Sequence, residues 1–157
     1  MHYNILAIDD EPDLLRLLER IIKGRTDFTI MVSGTSLEVP QILEENEFDI
    51  IITDLKMPGM DGMDILKYIK DKDRPEQVII ITAFGTLETA MEALANGVFD
   101  YITKPFKKEQ IFFTIDRAMK YQKTMKENRR LVSIFESKPY EKAMELFNLE
   151  YNARQKS

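Results

Sequence analysis

Four short stretches of this 157-residue chain carry side chains that can do chemistry together. Asp9-Asp10-Glu11 closes one apolar run, Asp54 closes a second and Thr82 a third; Lys104-Pro105 follows a fourth. Three neighbouring aspartates, Asp9, Asp10 and Asp54, repel one another at neutral pH unless a cation screens them. A cluster of hard oxygen donors without nitrogen or sulfur suits Mg²⁺, which holds one or two carboxylates and keeps several waters. A lysine and a hydroxyl opposite can bind the oxygens of an incoming phosphoryl group. A carboxylate can attack such a group and become an acyl phosphate, which makes Asp54 the natural nucleophile. The expected chemistry is in-line phosphoryl transfer to Asp54, assisted by Mg²⁺ and Lys104. Other chemistries lack their residues. There is no cysteine, which removes disulfides, thiolate zinc sites and thiol nucleophiles. The one histidine is His2, at the start of the chain.

For these groups to meet, the chain must bring four segment ends to one place. Five short runs have strand length and β-branched or aromatic content: Tyr3–Ile8, Phe28–Val32, Asp49–Thr53, Gln77–Thr82 and Phe99–Ile102. Segments with helical spacing lie between them. Leu14, Leu15, Leu18, Ile21 and Ile22 form one apolar stripe, and Ile65, Leu66 and Ile69 another. Gly24 and Gly97 suit helix ends, and Thr86 suits a helix start. With Ser36 as N-cap of the second helix, Pro40 falls in or just beyond its first turn, where it costs little hydrogen bonding. Such alternation predicts an α/β fold, a parallel sheet with helices on both faces. In an open parallel sheet, ligands gather at the carboxyl ends of the strands. That is where the acids, Thr82 and Lys104 stand. Met57, Met60 and Met63 are assigned to turns and helix packing rather than to a site.

The last helical stretch begins near Lys107 and packs through Ile111, Phe112, Ile115, Ala118 and Met119. Ala118, Tyr121, Met125, Asn128, Val132 and Phe135 then repeat at steps of three and four, a short heptad seam. Glu136–Pro139 breaks the helix, and Tyr140–Tyr151 reads as another short one. The total charge of −5 conceals a division. Residues 1–103 hold 9 basic and 20 acidic side chains; residues 104–157 hold 13 basic and 7 acidic. An acidic body with a basic helical arm is not a protein whose whole surface grips nucleic acid. No apolar run reaches the roughly 18–20 residues that span a bilayer, and the N-terminus lacks a signal-peptide pattern. A cytoplasmic location without membrane contact is expected.

Taken in order, Ile8-Asp9-Asp10-Glu11, Asp54-Leu55-Lys56-Met57-Pro58-Gly59-Met60-Asp61-Gly62, Ile81-Thr82-Ala83 and Tyr101-Ile102-Thr103-Lys104-Pro105-Phe106 resemble the receiver domain of two-component response regulators. The resemblance covers residues 3 to about 121. It implies a flavodoxin-like, doubly wound, five-stranded parallel sheet of order 2-1-3-4-5 with five helices, the last extended into a C-terminal arm. It divides the chain into a receiver, 1–121, and a helical extension, 122–157. It implies that Asp54 is the phosphoacceptor and that Asp10 and Asp54 bind Mg²⁺ directly. The Lys56 backbone carbonyl would be a further ligand, with Asp9 acting mainly through water. Thr82 corresponds to the switch hydroxyl, Tyr101 to the aromatic that follows it inward, and Lys104 to the phosphate-binding lysine before a cis proline. The implied partner is a sensor histidine kinase, and the implied activity is limited to Mg²⁺-dependent self-phosphorylation and autodephosphorylation at Asp54. Phosphorylation would remodel the face formed by the fourth helix, fifth strand and fifth helix, including Leu87, Met91, Ala95 and Tyr101. That face, or the C-terminal helix, is expected to form a homodimer or hold a downstream protein.

Ile81-Thr82-Ala83-Phe84-Gly85-Thr86-Leu87-Glu88-Thr89-Ala90 is spelled most like the receivers of NtrC-like regulators. Pro139–Tyr151 resembles the first helix of a Fis-type output domain, without the later recognition helix. No Gly-rich phosphate loop occurs, and the tail is too short for a complete helix-turn-helix, so direct DNA binding by this chain is not expected. One alternative is the regulatory fragment of a receiver-linked DNA-binding regulator. A haloacid-dehalogenase-type phosphatase is set aside, because Asp54-Leu55-Lys56 lacks the second aspartate of that family's Asp-x-Asp motif.

Overall fold

The computed structural model describes residues 2–136 and 139–156, and the side chains of these except 132–136 and 139–146. Its strands are β1 (Tyr3–Ile8), β2 (Phe28–Ser33), β3 (Ile50–Thr53), β4 (Gln77–Thr82) and β5 (Asp100–Thr103). All pair in parallel, in the order β2-β1-β3-β4-β5. The helices are α1 (Pro12–Lys23), α2 (Val39–Glu45), α3 (Gly62–Asp71), α4 (Leu87–Ala95), α5 (Lys108–Glu136) and α6 (Pro139–Gln155). This is the flavodoxin-like arrangement, with a sixth helix in the C-terminal arm. Two compact units divide within α5, residues 1–119 and 120–157.

Alternation along the strands builds the first unit's two apolar layers. Ile5 and Ala7 of β1, with Ile52, Ile79, Ile81 and Ile102, meet Leu18 and Ile22 of α1 and Ile111 and Ile115 of α5. Leu6 and Ile8 point the other way, with Ile51, Val78 and Ile80, onto Leu43 of α2, Ile65 and Leu66 of α3 and Ala93 of α4. Each such aliphatic side chain contributes roughly 1.5–3 kcal/mol when fully buried. A sheet sandwiched in this way holds its strand ends rigidly, as a site there requires.

Several boundaries differ from the sequence-based expectations. Ser36 does not cap α2: Thr35 caps a short 3₁₀ turn, Ser36–Glu38, by accepting from the Leu37 N–H. The Ser36 hydroxyl instead donates to the Pro58 carbonyl at 3.0 Å. Pro40 lies in the first turn of α2, where the missing N–H has no helical partner to lose. β5 sits one residue further along than Phe99–Ile102, and β3 begins at Ile50 rather than Asp49. Gly97 follows α4 at φ 84°, a left-handed conformation that favours glycine. Gly24 caps α1 in an ordinary right-handed conformation. α6 runs beyond Tyr140–Tyr151 at both ends. In the proposed heptad seam, Ala118, Tyr121, Met125 and Asn128 lie on α5, while the side chains of Val132 and Phe135 fall outside the described residues. The side chains of 139–146, over half of the Fis-like segment, fall outside them too.

Candidate functional site

Strand register brings the acids together. Ile8 pairs with Thr53 across β1 and β3, so Asp9 and Asp54 leave adjacent strand ends side by side. The backbone holds them there: Asp9 N–H donates to the Ser33 carbonyl at 3.2 Å, and Asp54 N–H to that of Ile8 at 3.3 Å. Asp9 is 2% exposed and Asp54 3%. Lys104 arrives from beyond β5, its N–H donating to the Thr82 carbonyl at 2.9 Å. The Lys104–Pro105 peptide bond is cis. From there Lys104 Nζ lies 2.9 Å from Asp54 Oδ2, 3.4 Å from Asp9 Oδ2 and 3.8 Å from Glu11 Oε1.

Asp9, Glu11 and Asp54 can bring one carboxylate oxygen each within 4.8 Å of one another. Among the described residues this is the one such group of acids. Asp10 is exposed and stands outside it; consecutive side chains leaving a strand point opposite ways. Glu11 closes the group because its N–H donates to Asp9 Oδ1 at 2.8 Å, turning the chain back toward the crevice. Burial is the main influence on Asp9. Helped by the Asp54 charge, it outweighs the Glu11 N–H and Lys104 and pushes the carboxyl up to about 6. Burial pulls the Lys104 ammonium down. Its hydrogen bond to Asp54 and the charges of Asp9, Asp54 and Glu11 reverse this, and the net shift is upward.

Asp54 is also fixed from behind. Its Oδ1 accepts from the Lys56 N–H at 3.3 Å, and its carbonyl accepts from the Thr53 hydroxyl at 3.0 Å. Gly62 packs directly against it; a Cβ there would stand 2.3 Å from the Asp54 carbonyl oxygen. Thr82, fully buried, ends β4, and its hydroxyl accepts from the Phe84 N–H at 3.1 Å. The Lys56 ammonium lies 5.1 Å from the centre of the Phe84 ring, joining the loops that follow β3 and β4. Tyr101 is half-buried on β5, its hydroxyl hydrogen-bonded to that of Thr89 at 3.1 Å. Sequence reasoning did not single out Gly62, Gly85, Phe84 or Thr89.

Chemically, this is a buried carboxylate flanked by a second carboxylate, a fixed ammonium and a buried hydroxyl at the ends of four parallel strands. The family model of the response regulator receiver domain matches residues 5–116. The chain belongs to that family. It is 39% identical over 100 residues to the response regulator protein PilR of Pseudomonas aeruginosa, covering 64% of this chain and 22% of that protein. It is 32% identical over 127 residues to the DNA-binding transcriptional regulator NtrC of Escherichia coli, covering 81% of this chain and 27% of that one. The chain thus spans about a quarter of the length of these curated relatives. A response regulator receiver domain protein from Clostridium thermocellum superposes with a TM-score of 0.73 at 34% identity, over 78% of this chain and 98% of that one. The resemblance to NtrC-like receivers holds at the level of these relatives.

Proposed function

We propose that this chain is a phosphorylation-controlled signalling switch that accepts a phosphoryl group on Asp54 from a sensor histidine kinase. The observation that carries this reading is the single ammonium of Lys104 shared between buried Asp54 and Asp9. Lys104 and the Lys56 N–H hold the Asp54 carboxylate in one orientation before any donor arrives, so little reorganisation is needed at the moment of transfer. An Asp54 oxygen forms the new bond to phosphorus as the bond from phosphorus to the donor breaks, and the leaving group keeps that electron pair. Lys104 neutralises charge on the transferred oxygens, and Thr82 offers its hydroxyl to one of them. The chain's own chemistry is limited to this self-phosphorylation and its hydrolytic reversal.

The donor set also fits a divalent cation. Asp9, Glu11 and Asp54 offer only hard oxygens, three acidic groups against the one ammonium of Lys104. By the family resemblance, Mg²⁺ would be held directly by Asp10, Asp54 and the Lys56 carbonyl, with Asp9 acting mainly through water, and would neutralise charge on the phosphoryl oxygens. Two buried carboxyl groups at adjacent strand ends, Asp9 and Asp54, suit a cation between them.

Readout of the switch falls to the α4–β5–α5 face. Leu87 is 79% exposed and Met91 61%, and Ala95 is exposed beside them. Apolar side chains displayed together suit a homodimer or a downstream protein. Among the described residues no helix is long and apolar enough to cross a membrane; a cytoplasmic site of action is part of the proposal. Incubation with acetyl phosphate and Mg²⁺ tests the proposal: one acid-stable, base-labile phosphoryl group per chain is expected, and none would refute it.

A second reading has support in the relatives. NtrC is named a DNA-binding transcriptional regulator, and this chain matches about a quarter of it. On that reading the chain is the regulatory part of such a regulator. Salt-sensitive, sequence-selective DNA binding by the phosphorylated chain itself would contradict the protein-contact reading.

A further inference from the structure

Two surfaces of the unit formed by residues 1–119 are complementary in hydropathy and charge. One is a groove of about 390 Å³ between α1 and the start of α5. Its floor is apolar, with Leu17 and Ile21 of α1, Phe106 of the loop after β5 and Phe112 of α5. Its rim holds Arg20, Arg25 and Lys108 and no acid. Arg25 is already occupied: it pairs with Asp27 at 2.9 Å and Asp116 at 2.7 Å, and its guanidinium lies 5.4 Å from the centre of the Phe112 ring. It builds the wall. Arg20 and Lys108 pair with no acid among the described residues, so their charge is free for a partner. The other surface is a ridge. Leu87, Met91 and Leu94, at positions i, i+4 and i+7, lie along one side of α4, each well exposed. Glu88 and Glu92 stand beside them, the latter 3.2 Å from the Lys67 ammonium, and α4 carries no basic residue.

We propose that α4 of one copy of this chain docks into the α1–α5 groove of a second copy, head to tail. Leu87, Met91 and Leu94 then cover the apolar floor, and Glu88 and Glu92 face Arg20 and Lys108. A helix set into a groove by i, i+4 and i+7 anchors is a common recognition mode, and opposite charges on the rim fix its register. Ridge and groove lie on opposite faces of the sheet, since α1 and α5 cover one apolar layer and α4 the other. One copy therefore cannot fill its own groove, and a pair joined this way keeps a free ridge and a free groove. A symmetric α4–α4 pair is disfavoured, because it sets the two glutamates of each copy against one another with no base on either helix. This docking rests on the reading of α4 as a contact face, whose partner it names, and not on Asp54.

The chain has no cysteine, so disulfide trapping between two single-cysteine versions of the full chain reads the contact directly. Met91→Cys chains and Leu17→Cys chains, tagged differently, are mixed in equal amounts and oxidised with and without beryllofluoride and Mg²⁺. Links between positions 17 and 91 should dominate over links joining like positions in at least one condition. Adding Arg20→Glu and Lys108→Glu to the Leu17→Cys chain should cut that link about fivefold, the scale of two exposed ion pairs lost. Adding Glu88→Lys and Glu92→Lys to the Met91→Cys chain should then restore it. All four charged side chains are exposed, and phosphorylation by acetyl phosphate checks that their reversal leaves the fold intact. A dominant 91–91 link keeps α4 as an interface but overturns the groove as its partner. Without any preferred link from position 91, both fall. A 17–91 link indifferent to the charge reversals overturns the docking as well.

Discussion

Fifty positions apart in sequence, Lys104 and Asp54 meet at 2.9 Å, both largely buried. One cation thus serves two carboxylates, because Asp9 lies within 3.4 Å of the same ammonium. The pairing depends on the parallel order of the sheet, which puts β1, β3, β4 and β5 ends in one row.

Replacing Lys104 by methionine keeps the length of the side chain and removes its charge. Phosphorylation by acetyl phosphate is expected to slow about 100-fold, the loss found when one preorganised donor to a developing anion is removed. Time courses of phosphoryl incorporation check this; a rate within a few-fold of wild type would exclude Lys104 from the transfer.

Asp9 gives the metal-free chain a pH signature. Its folded carboxyl titrates near 6, against 3.8 for the ordinary group. Between those values the folded chain keeps a proton that the unfolded chain releases. The stabilising contribution is therefore complete below pH about 4, falls as pH rises through 6, and is gone above. The fall is on the order of 3 kcal/mol. Urea unfolding of wild type and Asp9→Asn across pH 4–7 checks it: the variant should lose this slope and be the more stable at pH 7.

Much of this site was legible in the sequence because strands write their ends plainly. Asp9, Asp54 and Thr82 each close a β-branched run, and Lys104 stands just past another that a proline follows. What was not legible depends on directions that a turn decides. Asp10 and Glu11 are both exposed and equally acidic, yet only Glu11 brings a carboxylate oxygen near those of Asp9 and Asp54, its N–H bonded to Asp9. The Tyr101–Thr89 bond joins β5 to the first turn of α4, and nothing in either residue's neighbourhood announces the other. Ser36 has the right chemistry for a helix cap, but Thr35 reaches the Leu37 N–H first and frees Ser36 for Pro58.

Gly62→Ala tests the close packing behind the phosphoacceptor. A methyl group 2.3 Å from the Asp54 carbonyl oxygen must displace the β3–α3 loop. A stability loss of about 1–3 kcal/mol is expected from such overpacking, together with slower phosphorylation, since Asp54 moves. Thermal unfolding and phosphoryl incorporation measured on one preparation check both.

Exposed Leu87 and Met91 set the expectation for assembly. Beryllofluoride with Mg²⁺ should change the oligomeric state seen by light scattering, and Leu87→Glu with Met91→Glu should abolish the change while leaving phosphorylation intact. A single mass in both states would remove dimerisation from the mechanism.

The central claim is that Asp54 takes the phosphoryl group. Phosphorylating the chain with acetyl phosphate and Mg²⁺, reducing the product with borohydride and sequencing the peptides by mass spectrometry locates it directly, because reduction turns an aspartyl phosphate into homoserine. The account predicts homoserine at position 54 and nowhere else, and none from the Asp54→Asn variant. Homoserine at Asp9 or Asp10 of the wild-type chain, or undiminished labelling of Asp54→Asn, would contradict it.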